Sequence, residues 1–349
     1  MKKRTVAVLF GGCSTEYEVS LQSAASVIQS LSSEKYHAIL LGITREGRWK
    51  RYAGPVEGIL DGTWMSHPSC TPAVISPDRE TRGILTLEHG KAATVRIDVA
   101  FPVLHGKNGE DGTVQGLLEL AGIPCVGCGT LSSAVCMDKD IAHQLVRRAG
   151  IQTPPSVVIY APHPADALPD AVKALRYPLF VKPACAGSSF GITRVSGPEQ
   201  LSQAVDTAFG HDRKVVIEPA VAGFEVGCAV LGNAALTIGE VDEIELSQGF
   251  FDYTEKYTLK TARIHMPARI DEPTRARIRQ TAANIYRTLG CRGFARVDMF
   301  LTPAGEIVFN EVNTIPGFTA HSRYPNMLRG IGMNFETIVD TLIDLAVEP

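Results

Sequence analysis

The sequence predicts an α/β protein of two or three domains, and three observations carry that expectation. At 349 residues, the chain exceeds the ~250–300 residues at which a single hydrophobic core stops growing. Its first part alternates strand-like apolar runs with helical segments, the rhythm of a parallel sheet covered by helices. A composition that is 45% hydrophobic and 20% charged is that of a globular fold and excludes disordered, collagen-like and coiled-coil classes.

The elements follow in order. Thr5 to Phe10 reads as a strand, a helix follows Glu18, His37 to Ile43 and Ile97 to Leu104 read as further strands, and a Gly-rich turn leads into a helix around Gly116 to Leu120. This is a parallel α/β pattern, assigned to a Rossmann-like N-terminal domain over residues 1–136. Residues 47 to 92, rich in Gly, Pro and Thr, read as strand fragments and loops at its edge. A second unit, 137–222, opens with Asp138-Lys139 before a helix that ends at Gly150. It continues through strands Ser156 to Tyr160, Pro178 to Lys182 and Lys214 to Glu218. The third, 223–349, has a strand at Glu225 to Leu231 and a long polar insertion at 246–266. Ile278, Ala282, Ile285 and Leu289 then share one face of a helix stopped at Gly290, and Phe335, Ile338, Leu342 and Leu345 do so on a C-terminal helix after Asn334. Both stripes are read as core packing.

Lys+Arg 34 against Asp+Glu 37 gives a formal charge of -3, with no global attraction to nucleic acid or an anionic membrane. No apolar run approaches the ~18 residues of a membrane span. The basic start followed by Val6 to Phe10 is cut short at Gly11-Gly12, below the ~7–15 residues of a signal h-region, so a cytoplasmic protein is expected. Eight scattered cysteines are no disulfide scaffold; Cys136, Cys228 and Cys291 read as reduced core residues. Cys125 and Cys128 form a CxxC with no second pair or nearby His to complete a zinc site.

The strongest chemical signal is Arg296-Val-Asp298-Met-Phe300-Leu301, a turn at Thr302 to Gly305, and Glu306 through Asn310-Glu311-Val312-Asn313. If the turn closes a hairpin with Leu301 opposite Glu306, Asp298 faces Phe309 and Arg296 faces Glu311. Arg296, Asp298, Glu311 and Asn313 then share one face, because strand side chains alternate with period two. Two carboxylates and an amide oxygen suit Mg²⁺, which leaves coordination positions for substrate phosphates. Arg296 beside them suits a transition state gaining negative charge. The competing reading is a surface hairpin with cross-strand salt bridges, each worth ~0–1 kcal/mol.

A second signal is the strand ending at Lys182 followed by Pro-Ala-Cys-Ala-Gly187-Ser188-Ser189-Phe190-Gly191. The lysine serves a phosphate as a point charge, and the small residues let backbone N–H groups approach one; an ordinary strand-end turn is the alternative. There is no GxxxxGK[ST] loop, and Gly127-Cys-Gly129 lacks the third glycine of a dinucleotide fingerprint. Gly11-Gly12-Cys-Ser-Thr-Glu16-Tyr-Glu18 opens a helix after the first strand. Glu18 there suits a substrate ammonium, although acids are common in a first helical turn from the dipole alone. His105, in a Gly-rich loop after a strand, lines the same cleft or is a solvated capping residue. Lys256-Tyr257 lies in the long insertion, the kind of loop that forms lids.

In this order, the motifs GGCSTEYEVSL (Gly11 to Leu21), LHGKNGEDGTVQG (Leu104 to Gly116), MDKD (Met137 to Asp140), VKPACAGSSFG (Val181 to Gly191), EKY (Glu255 to Tyr257), RVDMF (Arg296 to Phe300) and NEVNTIPGFTAHSRYP (Asn310 to Pro325) resemble the D-alanine:D-alanine ligase family of ATP-grasp enzymes. The resemblance covers essentially the whole chain and is greatest to the vancomycin-resistance branch, in particular D-alanine:D-serine ligases of the VanG type. It implies an ATP-grasp fold behind the Rossmann-like domain, with ATP between the second and third domains and a lid over 246–266. By resemblance, Lys139, Lys182, Ser189 and Lys256 serve the ATP phosphates, Glu218, Val221 and Glu225 surround the adenosine, and Asp298, Glu311 and Asn313 hold two Mg²⁺ ions, for which Mn²⁺ substitutes. Tyr257 links through Ser188 to Glu18 to close the site, and Arg296 with the Gly317 N–H forms an oxyanion site. Pro219 stands where many relatives have Lys.

The implied partners are D-Ala, D-Ser and ATP, in a homodimer. His105, Phe251, Ser322 and Arg323 fall at the amino-acid sites. Tyr257 marks an amine nucleophile rather than D-lactate, and Ser322 matches the residue that holds the second carboxylate. Arg323 stands where D-Ala-specific relatives generally carry Leu or Met, and Phe251 where many have Tyr. A guanidinium donating to a serine hydroxyl is worth ~1.5–3 kcal/mol; alternatively Arg323 binds the carboxylate or a surface acid. Two further classes compete. An oxidoreductase leaves the metal hairpin unexplained, and a catalytically silent nucleotide-binding regulator has no need of Arg296, Asp298, Glu311, Asn313 and Lys182 together.

Overall fold

The computed structural model describes residues 3–88, 91–163, 168–187, 190–246 and 262–348. Within them the chain forms three sheets. In the first, β1 (Arg4–Gly11) lies between β2 (Tyr36–Ile43) and β7 (Val99–Pro102) and pairs parallel with both. Helices on both faces explain why β1 is almost continuously apolar. Val6, Val8 and Phe10 pack with Leu21, Ala24 and Val27 of α1 (Tyr17–Ser30), whereas Ala7 and Leu9 pack with Val114 and Leu118 of α3 (Thr113–Leu120). A four-residue helix, α2, spans Glu57–Leu60.

The parallel expectation holds for these strands, and 47–92 supplies the strands expected at the domain's edge, running antiparallel. There β3 (Trp49–Tyr52), β4 (Thr71–Ile75), β5 (Gly83–Glu88) and β6 (Lys91–Arg96) extend the sheet antiparallel in the order β6-β5-β4-β3-β2-β1-β7. The sheet is mixed: β4 to β6 are joined by short connections that suit antiparallel neighbours, while β3 and β4 are separated by a longer segment that includes α2. With β6 largely exposed, the alternation that would have announced these strands is weak.

The second sheet is antiparallel, in the order β10-β9-β11-β8, from β8 (Val157–Tyr160), β9 (Leu179–Pro183), β10 (Thr193–Val195) and β11 (Lys214–Pro219). After α4 (Thr130–Met137), helix α5 (Lys139–Arg148) leads into it. Asp138 caps α5 by accepting from the Asp140 and Ile141 N–H groups, satisfying donors that have no intrahelical partner. Beyond the short α6 (Asp170–Lys173), Leu201, Ala204, Val205 and Ala208 of α7 (Leu201–Phe209) pack on this sheet at helical spacing.

The third sheet runs β14-β13-β12-β15-β16, from β12 (Phe224–Gly232), β13 (Leu236–Leu246), β14 (Ala262–His265), β15 (Phe294–Leu301) and β16 (Ile307–Asn313). Both ends of the expected polar insertion are therefore strands, Glu243 opposite His265 and Ile244 opposite Ile264. The insertion's middle, 247–261, lies outside the described residues. Helix α8 (Glu272–Thr288) packs through Ile278, Ala282 and Ile285, and α10 (Phe335–Val347) through Ile338 and Leu342, as their apolar stripes require; between them lies α9 (Arg323–Arg329). All eight cysteines are free thiols. Among the described residues no helix is long and apolar enough to cross a membrane.

Candidate active site

Strands β15 and β16 carry the charged face, by a different register from the expected one. The turn closes on the pair Thr302 N–H to Glu306 C=O, 3.0 Å, which sets Leu301 opposite Ile307 rather than Glu306. A bulge then shifts the pairing between Asp298 and Met299, so that Asp298 stands opposite Glu311, not Phe309, and Arg296 opposite Asn313, not Glu311. Asn310 is the extra residue. The bulge re-aims the end of the strand and brings all four polar groups to one face.

There Arg296 donates to Asp298 from Nε (2.8 Å) and Nη2 (2.6 Å), and Asn313 Nδ2 donates to Asp298 Oδ2 at 2.9 Å. Asp298 is buried, so this is not a solvent-facing salt bridge. Burial alone would lower the Arg296 pKa, but Asp298 outweighs it and the shift is upward. The donor set fits a hard divalent cation: carboxylates face one another across two strands with an amide beside them. Among the described residues no cluster of three or more His, Cys, Asp or Glu is arranged to hold a metal.

The lysines converge on the same cleft. Lys139, at the start of α5, reaches Glu311 at 3.3 Å and the Ala186 carbonyl at 2.9 Å. Lys182 on β9 is buried and pairs with Glu218 on the neighbouring strand β11. Two cations so held beside two acids can exchange partners when polyphosphate and metal arrive. Val221 lies just past β11, and Glu225 on β12 pairs with Arg323 at 3.1 Å. Ser188, Ser189, Phe251, Lys256 and Tyr257 lie outside the described residues.

Glu18 does not enter the cleft. It sits in the first turn of α1, 67% exposed, in an ion pair with Arg45. The buried residues of α1 are Tyr17, Ser20, Leu21, Ser23, Ala24, Ala25 and Val27, and position 18 falls at the margin of the arc they cover. Glu16, two residues earlier and 7% exposed, is the acid that points in. A Cβ on Gly187 would lie 2.9 Å from its Oε2 and one on Gly106 2.7 Å away, so glycine at both positions lets loops from the first and second sheets close around this carboxylate.

His105 is no solvated loop residue either. It is buried, with Nδ1 2.8 Å from the Ile315 carbonyl and Nε2 3.1 Å from Ser23 Oγ, and burial lowers its pKa. Its ring nitrogens are thus spent on the protein. Nearby, Glu110 accepts from Gly106 N–H (2.8 Å) and Ile315 N–H (3.1 Å). Burial and the neighbouring Glu16 carboxylate push its pKa up to about 8 against the pull of those N–H groups.

The segment after β16 completes the wall. Ser322 Oγ accepts from the Thr319 N–H at 3.0 Å and would lie 3.1 Å from a Cβ on Gly317, so a side chain there would have to push Ser322 aside by a few tenths of an ångström. Arg323, its side chain 9% exposed, donates through Nε and Nη2 to the two oxygens of Asp242, 2.7 Å each, with Asp298 at 3.5 Å. This bidentate clamp fixes the guanidinium plane. Asp242 on β13 also accepts from the Gly227 N–H at 3.0 Å. A cavity of about 600 Å³ lies beside the pair, lined by Arg263, His265, Met266 and His321 among others, at the foot of β13 and β14.

Residues 5–128 match the family described as D-ala D-ala ligase N-terminus, and residues 145–344 the one described as D-ala D-ala ligase C-terminus. The crystal structure of VanG D-Ala:D-Ser ligase from Enterococcus faecalis superposes with a TM-score of 0.92 at 56% identity, over 99% of this chain and 100% of that one. The Enterococcus faecalis vancomycin B-type resistance protein VanB is 47% identical over 100% of both chains. A D-alanine–D-alanine ligase from Caldicellulosiruptor bescii is 44% identical over 100% of this chain and 96% of its own.

Proposed function

The chain belongs to the D-Ala–D-Ala ligase family, whose members use ATP and divalent metals, and from that premise we propose that it joins D-Ala to D-Ser, supplying D-Ala-D-Ser for modified peptidoglycan precursors and vancomycin resistance. The observation that carries the D-Ser reading is Arg323, held in the clamp of Asp242, in a chain 56% identical to a D-Ala:D-Ser ligase. One edge of the guanidinium is taken by Asp242, while Nη1, with two N–H groups, meets Glu225 through one contact. A remaining N–H is available to a serine hydroxyl, and D-Ala offers nothing to accept it.

Three domains, 1–136, 137–222 and 223–349, fit this reading with one sheet to each. The first D-Ala sets its ammonium against Glu16, which takes the place first given to Glu18, with Ser188 and Tyr257 closing the site around it. Its carboxylate oxygen attacks the γ-phosphorus of ATP, ADP leaves, and an acyl phosphate forms. Lys139, Lys182 and Lys256 hold the phosphates, and divalent cations at Asp298, Glu311 and Asn313 supply charge neutralisation. The amine of the second amino acid then attacks the carbonyl carbon, phosphate leaves with the C–O electron pair, and the nitrogen loses a proton. Arg296 and the Gly317 N–H face the oxyanion of that step. Ser322 receives the second carboxylate, with Phe251 and Arg323 shaping the side-chain pocket.

The test is ADP release from ATP with and without D-amino acids, followed by product analysis with equal D-Ser and D-Ala. D-Ala-D-Ser in about ten-fold excess, equivalent to ~1.4 kcal/mol, supports the proposal. Predominant D-Ala-D-Ala makes the chain a D-Ala:D-Ala ligase instead, and ATP turnover indifferent to D-amino acids removes ligase function altogether.

A further inference from the structure

The loop 314–318 joins the end of β16 to the turn before α9, and its backbone is held by Glu110 and His105 of the loop after β7 and by Ser23 of α1. Ile315 offers its N–H to Glu110 Oε1 (3.1 Å) and its C=O to His105 Nδ1 (2.8 Å). Phe318 donates its N–H to Ser23 Oγ of α1 at 3.2 Å, and Ser23 Oγ lies 3.1 Å from His105 Nε2. Proton bookkeeping gives this network a single direction. Burial keeps His105 neutral, so the nitrogen facing a carbonyl must carry the proton and Nε2 must accept. Ser23 then donates to His105 and accepts from Phe318. The path Phe318 N–H to Ser23 O–H to Nε2, and Nδ1–H to the Ile315 carbonyl, closes on the loop at both ends, with Gly317 between them. Ser23 is fully buried and Ile315 nearly so, and in such a setting a directed hydrogen-bond circuit rigidifies what it holds.

The geometry points to Ser23, His105 and Glu110 as positioning residues that set the Gly317 N–H from the opposite side of the cleft. This inference rests on the ligase reading above, in which that N–H faces the oxyanion of amide formation. None of the three need touch substrate. Loosening the brace misplaces a donor used when the acyl phosphate carbonyl is attacked, and leaves the lysines and the cation face, which act in phosphoryl transfer, as they were. An acyl phosphate that is made but not captured is lost to water, which attacks the carbonyl carbon, expels phosphate and regenerates the free D-amino acid.

The experiment measures ADP and dipeptide together in Ser23→Ala and Glu110→Gln, with Ser23→Thr as the variant that keeps the hydroxyl. The wild type must first give ADP and dipeptide in equal amounts; if it makes no dipeptide, the ligase reading fails and not the brace. With that established, the brace predicts that Ser23→Ala and Glu110→Gln form dipeptide at least ten-fold more slowly, with an ADP:dipeptide ratio well above one and an unchanged KM for ATP. Ser23→Thr should restore the ratio toward one. A purely structural role would lower both products in step. A ratio that stays at one in a folded variant, whether rates fall or hold, overturns the inference; if Ser23→Ala does not fold, Glu110→Gln decides alone.

Discussion

Two glutamates, two residues apart, should differ sharply in consequence. Glu18 is 67% exposed and pairs with Arg45, itself 48% exposed; such pairs are worth ~0–1 kcal/mol. Glu18→Gln should therefore change stability by less than about 1 kcal/mol and leave turnover intact. Glu16 is 7% exposed and enclosed by Gly106 and Gly187. Gln has the same shape as Glu, so Glu16→Gln keeps that packing and removes only the charge. A hydrogen bond to a charged group is worth ~1.5–3 kcal/mol, roughly 10- to 150-fold in an equilibrium. The expected outcome is a rise of that order in the KM for the first D-amino acid, with the KM for ATP unmoved. Steady-state ADP release, with D-Ala varied at saturating ATP and thermal melts alongside, measures both. Equal damage from the two variants, or a Glu16→Gln enzyme with wild-type KM, would refute the assignment.

Asp298→Ala and Glu311→Ala, or excess chelator on the wild type, should abolish turnover, and the Asp298 variant should also lose stability because Arg296 and Asn313 give up a buried partner; wild-type turnover in chelator would contradict this. Asp242→Asn leaves Arg323 with one acceptor oxygen in place of two, and should shift the product of a D-Ser/D-Ala competition toward D-Ala-D-Ala; because breaking a buried pair costs ~3–5 kcal/mol and Glu225 and Asp298 remain nearby, a loss at the lower end of that range is expected in denaturant melts. Arg323→Leu should give the same shift in product, and an unchanged ratio would remove Arg323 from specificity. The pKa of Glu110 is raised in the fold to about 8, so its contribution to stability is full below the unfolded carboxylate range of ~4.3 and is lost as pH rises through 8. Between pH 5 and 9 the melting temperature of the wild type should accordingly fall relative to that of Glu110→Gln, and parallel curves would contradict the raised pKa.

What the sequence revealed and what it hid have physical reasons in particular residues. The apolar run Val6 to Phe10, the stripe of Ile278, Ala282 and Ile285 and the Asp138 cap each express one local rule, and the corresponding strand, helix and helix start formed where those rules put them. The shared face of Arg296, Asp298, Glu311 and Asn313 was also visible, since period-two alternation survives a register error when a bulge restores the parity. Strands β3 to β6 showed only as fragments at the domain's edge, because a half-exposed antiparallel edge has little apolar signal to offer. Glu16 stands at the helix start and Glu18 in its first turn, so both fit a helix N-terminus. The buried arc of α1 leaves position 18 at its margin, so helical periodicity separates the two acids only weakly. Asp242 and Ser23 left no such trace. Each matters through a partner far along the chain, Arg323 for one and Phe318 with His105 for the other, and long-range pairings carry no local pattern. The groups that contact substrate could be found by motif, whereas those that hold them in place became visible only once the three sheets had closed on one another.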